Sequence, residues 1–212
     1  SEILRPSFYN EAQHKFPEQM TIISTSSGTL YKGLDLILKT AQILKLFHYC
    51  EFKWIVFGNS DNLHYIEKVT GIAHEDVNVN MIGIGTEEDI YNALVNATAF
   101  AHPSYIDNSP NAVCEAQLVG CPVVATDVGG IKSLIIDGET GFLVPANDPY
   151  QMAWRLKQIF ENRSLAQAIS QKGKNQAKER HNKEKIVNEL INVYKTLLNE
   201  PIIQESHLSS SF

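Results

Sequence analysis

Short apolar runs alternate along the chain with stretches whose apolar residues recur three and four apart. Residues 21–25 (T-I-I-S-T) are β-branched and read as a first strand. A polar turn follows from Ser26 to Gly33. Leu34, Ile37, Leu38, Ala41, Leu44 and Leu46 then fall at helical spacing and predict a helix to about Cys50. Residues 52–58 (F-K-W-I-V-F-G) are nearly all apolar, as in a parallel strand covered on both faces. A helix capped by Asp61 is expected over 61–70, and a third strand over 77–83. Thr86 with Asp89 forms a capping box that opens a helix ending near Val95. A fourth strand (97–101), a helix over 112–119 stopped by Gly120, and a fifth strand (122–126) follow. A short helix (131–136) and a last strand (142–145) precede three helical segments, about 149–161, 164–180 and 183–199.

Strands alternating with helices imply an α/β fold: a Rossmann-like, doubly wound parallel sheet of about six strands with helices on both faces and a helical C-terminal tail. Residues 1–20 have no clean period and contain Arg5-Pro6 and Phe16-Pro17, so they read as an extended linker. The domain proper is expected over 21–180, a terminal helix within 181–205, and a disordered Ser-rich tail over 206–212.

Composition narrows the classes. The 212 residues are 43% hydrophobic and 20% charged, ordinary for a soluble globular domain. A net charge of −6 with no basic stripe argues against a nucleic-acid partner. Cys50, Cys114 and Cys121 lie in or beside apolar segments without metal-ligand spacing and read as buried thiols of a reducing compartment. No apolar run reaches the about 18 residues of a membrane span, and no signal peptide is apparent. The absence of an initiator Met makes a fragment the expectation.

The candidate chemistry centres on residues 102–115, H-P-S-Y-I-D-N-S-P-N-A-V-C-E. Ser109 before Pro110 reads as an N-cap with proline at the first helical position. Such a helix start presents free N–H groups, at Asn111 and Ala112, and the positive end of its dipole, a site suited to phosphate. Asp107 and Glu115 flank it at the C-terminal end of a strand, where open α/β sheets bind ligands. His102 reads as a packed or capping histidine rather than a base. Gly129-Gly130 permit close approach of backbone, either to a ligand or to a neighbouring helix.

Three segments carry a family resemblance: residues 103–116, residues 120–130 (G-C-P-V-V-A-T-D-V-G-G) and residues 135–149 (I-I-D-G-E-T-G-F-L-V-P-A-N-D-P), with Lys32-Gly33 as a weaker anchor. In order and spacing they resemble the C-terminal, nucleotide-sugar-binding half of a family 4 (group 1) glycosyltransferase of the GT-B fold. The resemblance implies a nucleoside-diphosphate sugar as donor substrate, no cofactor, metal-independent chemistry, retention of configuration, and a separate N-terminal acceptor-binding domain missing from this chain. The terminal helix would then lie back towards that absent domain, and the isolated chain would transfer nothing. It also implies a cytoplasmic enzyme, or one peripheral to the inner membrane, with a role in cell-surface polysaccharide assembly.

Residue by residue, the resemblance assigns Lys32 as a cation for the leaving diphosphate, helped by the Ser109 hydroxyl and the amides of Asn111 and Ala112. Glu115 would accept from the ribose hydroxyls. Asp107, where the family more often has Glu, would hold the donor sugar and is the candidate catalytic residue. Gly83 and Ile84 would meet the base. One departure stands out: the family's Arg about six residues before the Lys falls here within Ser24-Thr25-Ser26-Ser27. Either the serines, with Ser27 and the Gly28 amide, take over the phosphate contact, or donor binding is weaker. The rivals are a nucleotide-sugar epimerase-like enzyme and a non-catalytic nucleotide-binding or scaffold module.

Overall fold

The computed structural model describes residues 13–46 and 51–199. Their six strands are β1 (Met20–Ser26), β2 (Phe52–Gly58), β3 (Val79–Gly83), β4 (Ala99–His102), β5 (Val123–Thr126) and β6 (Phe142–Val144). The helices are α1 (Leu34–Leu46), α2 (Leu63–Thr70), α3 (Glu87–Val95), α4 (Asn111–Val119), α5 (Pro149–Glu161), α6 (Arg163–Arg180) and α7 (Lys183–Asn199). All strand pairs are parallel, in the order β3-β2-β1-β4-β5-β6. The doubly wound α/β sheet expected from the alternation is therefore present. The order reverses direction between β1 and β4, where Ile22 pairs with Ala99 and Ile23 with Phe100.

Strand periodicity sorts the core into two layers. Ile22, Trp54, Val56, Ala99, Ala101 and Val124 face one way, against α1 and α5. Ile23, Phe57, Phe100, Val123 and Ala125 face the other, against Val113, Ala116 and Val119 of α4 and Leu94 of α3. Every residue of β4 and β5 is buried, so neither strand shows a polar face in the sequence.

Several boundaries differ from expectation. The helix expected over 61–70 starts at Leu63, because Asp61 accepts from the Asn59 side chain instead of capping; Asn62 is the N-cap, without a side-chain cap bond. The third strand starts at Val79: residues Glu75–Val77 form a 3-10 turn ended by Asn78 at φ 58°. The fourth starts at Ala99, since the Asn96 and Ala97 amides still bond to α3 carbonyls. The short helix over 131–136 is a 3-10 turn, Ile131–Ser133. The Thr86–Asp89 capping box forms as expected. Cys114 and Cys121 are buried. Cys50, the rest of the helix expected to it, and the tail over 206–212 lie outside the described residues.

Residues 13–16 lie against the domain. His14 Nε2 is 2.8 Å from the Ala97 carbonyl, Lys15 N–H donates to Val95 O, and Arg163 donates to Phe16 O. The chain divides into two compact units between Ala177 and Lys178. In the second, α7 carries Ile186, Leu190, Tyr194 and Leu197 at helical spacing, and Lys185 pairs with Glu179 at 2.9 Å. Among the described residues no helix is long and apolar enough to cross a membrane.

Candidate functional site

Three loops meet at the carboxyl ends of β1, β4 and β5, and glycines decide how closely. Lys32 ends a 3-10 turn, Leu30–Lys32, and Gly33 follows at φ 74°. A Cβ on Gly33 would stand 2.0 Å from the Pro103 carbonyl oxygen, so only glycine lets this turn press on the loop after β4. The contact is sealed by Tyr105 N–H donating to Tyr31 O at 2.7 Å. On the other side, a Cβ on Gly129 would stand 2.0 Å from Asp107 O, and one on Gly130 1.9 Å from Asn108 O. Gly130 N–H donates to Asp107 O. The close protein neighbour that Gly129-Gly130 admit is thus the Asp107–Asn108 backbone rather than a helix.

Asp107 is the centre of this junction. Its Oδ2 accepts from Lys32 Nζ at 2.6 Å and lies 3.0 Å from His102 Nε2; its Oδ1 accepts from the Asn108 amide at 3.0 Å. The hydrogen bond from His102, against the opposing effect of burial, and then the Lys32 bond hold this carboxyl well below the ordinary carboxylate range. His102 is 3% exposed and its Nδ1 has no hydrogen-bond partner. It is packed, as expected, and also orients the acid.

Helix α4 does not start as the sequence suggested. Pro110 is its N-cap, at φ −70° and ψ 116°, with no side-chain cap bond, and Ser109 is an exposed residue outside it. Proline's extended ψ here moves the helix start one residue on. The first turn is therefore not closed by a capping side chain, and Asn111 and Ala112 line a cleft of about 350 Å³. The opposite walls are Thr25 to Ser27 at the end of β1, Lys32, His102, and Ile84-Gly85 after β3. The cleft sits at the reversal of strand order, the usual ligand crevice of such sheets.

Of the predicted site residues, Lys32, Ser27, Ile84, Asn111 and Ala112 line this cleft together. Asp107 reaches it through Lys32 and His102. Glu115 lies one turn beyond Asn111 on the same side of α4 and is half-buried. Burial and then the nearby Glu87 raise its carboxyl above the ordinary value. The Gly28 amide is already taken, donating to Ser26 Oγ at 3.1 Å, and the Ser27 hydroxyl pairs with Thr29 at 3.0 Å. Gly83 adopts φ 79° beside open space, while Ile84 is 88% exposed. The Lys32–Asp107 pair spans 75 residues, so no local spacing could reveal it. The Thr25–Ser26 wall and the bond from Tyr105 to Tyr31 likewise carry no motif. Among the described residues, no group of three or more His, Cys, Asp or Glu could hold a metal ion.

Residues 8–176 match the family model described as "Glycosyl transferases group 1". The chain is 32% identical over 140 residues to D-inositol 3-phosphate glycosyltransferase of Corynebacterium diphtheriae, which covers 62% of this chain and 32% of that protein. It is 25% identical over 169 residues to the capsular polysaccharide biosynthesis glycosyltransferase CapM of Staphylococcus aureus, covering 80% of this chain and 44% of that one. Its fold superposes on a variant of S. aureus TarM solved with fondaparinux, alpha-GlcNAc-glycerol and UDP, with a TM-score of 0.73 at 22% identity, over 87% of this chain and 37% of that one. The chain thus spans less than half the length of each of these proteins.

Proposed function

Because the chain belongs to the glycosyl transferases group 1 family, we propose that it is the donor-binding domain of a retaining glycosyltransferase that moves a sugar from a nucleoside diphosphate to an acceptor. One observation carries this best: an uncapped helix start and a lysine face each other across the cleft at the sheet's reversal point. When the glycosidic bond breaks, negative charge grows on the leaving diphosphate. Lys32 supplies a cation there, and the first-turn amides of α4 supply fixed dipoles. No metal is needed for that neutralisation. Ser27 adds a hydroxyl from the β1 side. Glu115 takes the ribose hydroxyls, and Ile84 with the Gly83 backbone meets the base.

Asp107 acts through its partners. Both its oxygens are engaged, so it positions Lys32 and His102 at the cleft wall. UDP in the TarM structure supports a uridine nucleotide as the first donor to try. The capsular relative supports a polysaccharide product. The acceptor belongs to a further N-terminal domain, towards which α7 packs in the whole enzyme, so this chain alone transfers nothing.

Calorimetric titration of UDP and UDP-glucose into the chain tests the proposal. Binding is expected, weakened about tenfold, or ~1.4 kcal/mol, by Lys32→Ala, and clearly weakened by Glu115→Ala. Absence of binding at millimolar nucleotide would instead favour a scaffold module, for which the Ser24–Ser27 stretch without an arginine is the supporting feature.

A further inference from the structure

Lys32 stands on a piece of chain that packing does little to hold. The Leu30–Lys32 turn has no buried residue, and its N-cap, Thr29, makes no side-chain cap bond. Leu30 and Tyr31 are 50% and 45% exposed, so burial does not fix the turn's position. The long, flexible lysine stem adds to that freedom. Neutralising a leaving diphosphate nevertheless requires the ammonium in one place.

What holds the turn is the loop after β4, and Tyr105 grips it on both sides of Lys32. Its N–H donates to Tyr31 O at 2.7 Å, one residue before the lysine. Its hydroxyl donates to Asp35 Oδ2 at 2.8 Å, three residues after it. Further along the same loop, Asp107 accepts from Lys32 itself at 2.6 Å. The hydroxyl bond has an ionised acceptor, which makes it stronger than a neutral pair. Burial, and then the bond to Asp35, push the Tyr105 hydroxyl far above its ordinary range, so it remains a donor. Lys39, one turn on, donates to the same Asp35 oxygen at 2.7 Å.

Neither Tyr105 nor Asp35 lines the first cleft, of about 350 Å³. Both line a separate one, of about 460 Å³, walled by α1 and α2. The bond between them can therefore be removed without altering a side chain at the first cleft. We propose that Tyr105 and Asp35 are positioning residues of the donor site: their hydroxyl–carboxylate bond, with the Tyr105 N–H, clamps the turn on either side and fixes the Lys32 ammonium where the diphosphate arrives. As a role in donor binding it rests on the transferase proposal above.

Tyr105→Phe keeps the ring and the N–H bond and deletes only the hydroxyl. UDP affinity, from NMR titration of the chain, should fall about fivefold in Tyr105→Phe and in Asp35→Ala. Asp35→Asn keeps an acceptor for the hydroxyl and gives up only the part-exposed pair with Lys39, so it should stay within about twofold of the parent. In a Lys32→Ala background, Tyr105→Phe should change the affinity less than about 1.5-fold, because the group it positions is gone. A tyrosine that only stabilises the fold would cost the same in both backgrounds. With no nucleotide present, nitrogen-15 relaxation should give the Lys32 ammonium a lower order parameter in Tyr105→Phe than in the parent. The inference is overturned if Tyr105→Phe keeps parental UDP affinity, if its loss is equal with and without Lys32, or if the Lys32 order parameter is unchanged. A parent chain that binds no UDP would remove the donor proposal, and the Lys32 order parameter would then decide the clamp by itself.

Discussion

The charge at the junction has a measurable sign. Asp107 titrates lower in the folded chain than in the unfolded one, because His102 and then Lys32 favour its ionised form. Its contribution is therefore present above the unfolded carboxylate value, about 4, and is lost as pH falls through the lower folded value. Asp107→Asn should cost about 1–3 kcal/mol at pH 7, measured by urea unfolding, with the gap to the parent chain closing in strong acid. A gap that stays constant down to pH 2 would show that the carboxyl is not held this way. The same variant should lower UDP affinity, since Lys32 would lose its anchor. Of this residue cluster the sequence revealed the members and not the bonds. Lys32 stood out before Gly33, His102 at a strand end before Pro103, and Asp107 as the first of two acids eight residues apart, but a bond across 75 residues depends on strand order.

At the scale of elements, the junction is set by main-chain contact. Gly33→Ala adds a methyl at 2.0 Å from the Pro103 oxygen, at a φ that L residues avoid. It should destabilise by at least about 1–2 kcal/mol, read from the urea midpoint, and should weaken UDP binding in parallel by displacing the 103–108 loop. A well-folded Gly33→Ala chain with parental UDP affinity would mean that the contact does not shape the cleft. By contrast, Thr86→Ala removes the α3 capping box at an exposed site. It should cost about 0.5–2 kcal/mol and leave nucleotide affinity unchanged. The capping box was legible because both partners lie within four residues. The α4 start was misplaced because Ser-Pro is a good local cap signal, while the packing of Pro110 and the loop behind it decided otherwise.

For the whole molecule, the strand order was not readable from the chain, although the alternation of elements was. Two strands with no polar face, β4 and β5, say only that both sides are covered. The segment before β1 contributes a pH dependence to the fold. His14 is drawn down to about 4 by burial, opposed by its bond to Ala97 O, with Lys174 adding to the decrease. Its Nδ1 is buried without a partner, so a proton there would have nothing to bond. Between about 4 and 6.5 the unfolded chain binds a proton that the folded one refuses. Stability should therefore fall as pH drops through that window and be unaffected by this group above it. His14→Gln should flatten the dependence, visible in urea midpoints at pH 4.5 and 7; equal slopes in both chains would remove His14 as the cause.

The three loops at and behind the first cleft are welded to one another through carbonyl oxygens, and a side chain cannot be enlarged at any of the weld points without prying loops apart. The side after β3 is freer: residue 84 is 88% exposed, between Gly83, paired to Phe57 in the sheet, and Gly85, seated on the Phe57 ring. Sequence drift, or a protein engineer, is thereby steered to that side. Exchanging Ile84 for other side chains should retune which nucleobase is preferred while the melting temperature barely moves.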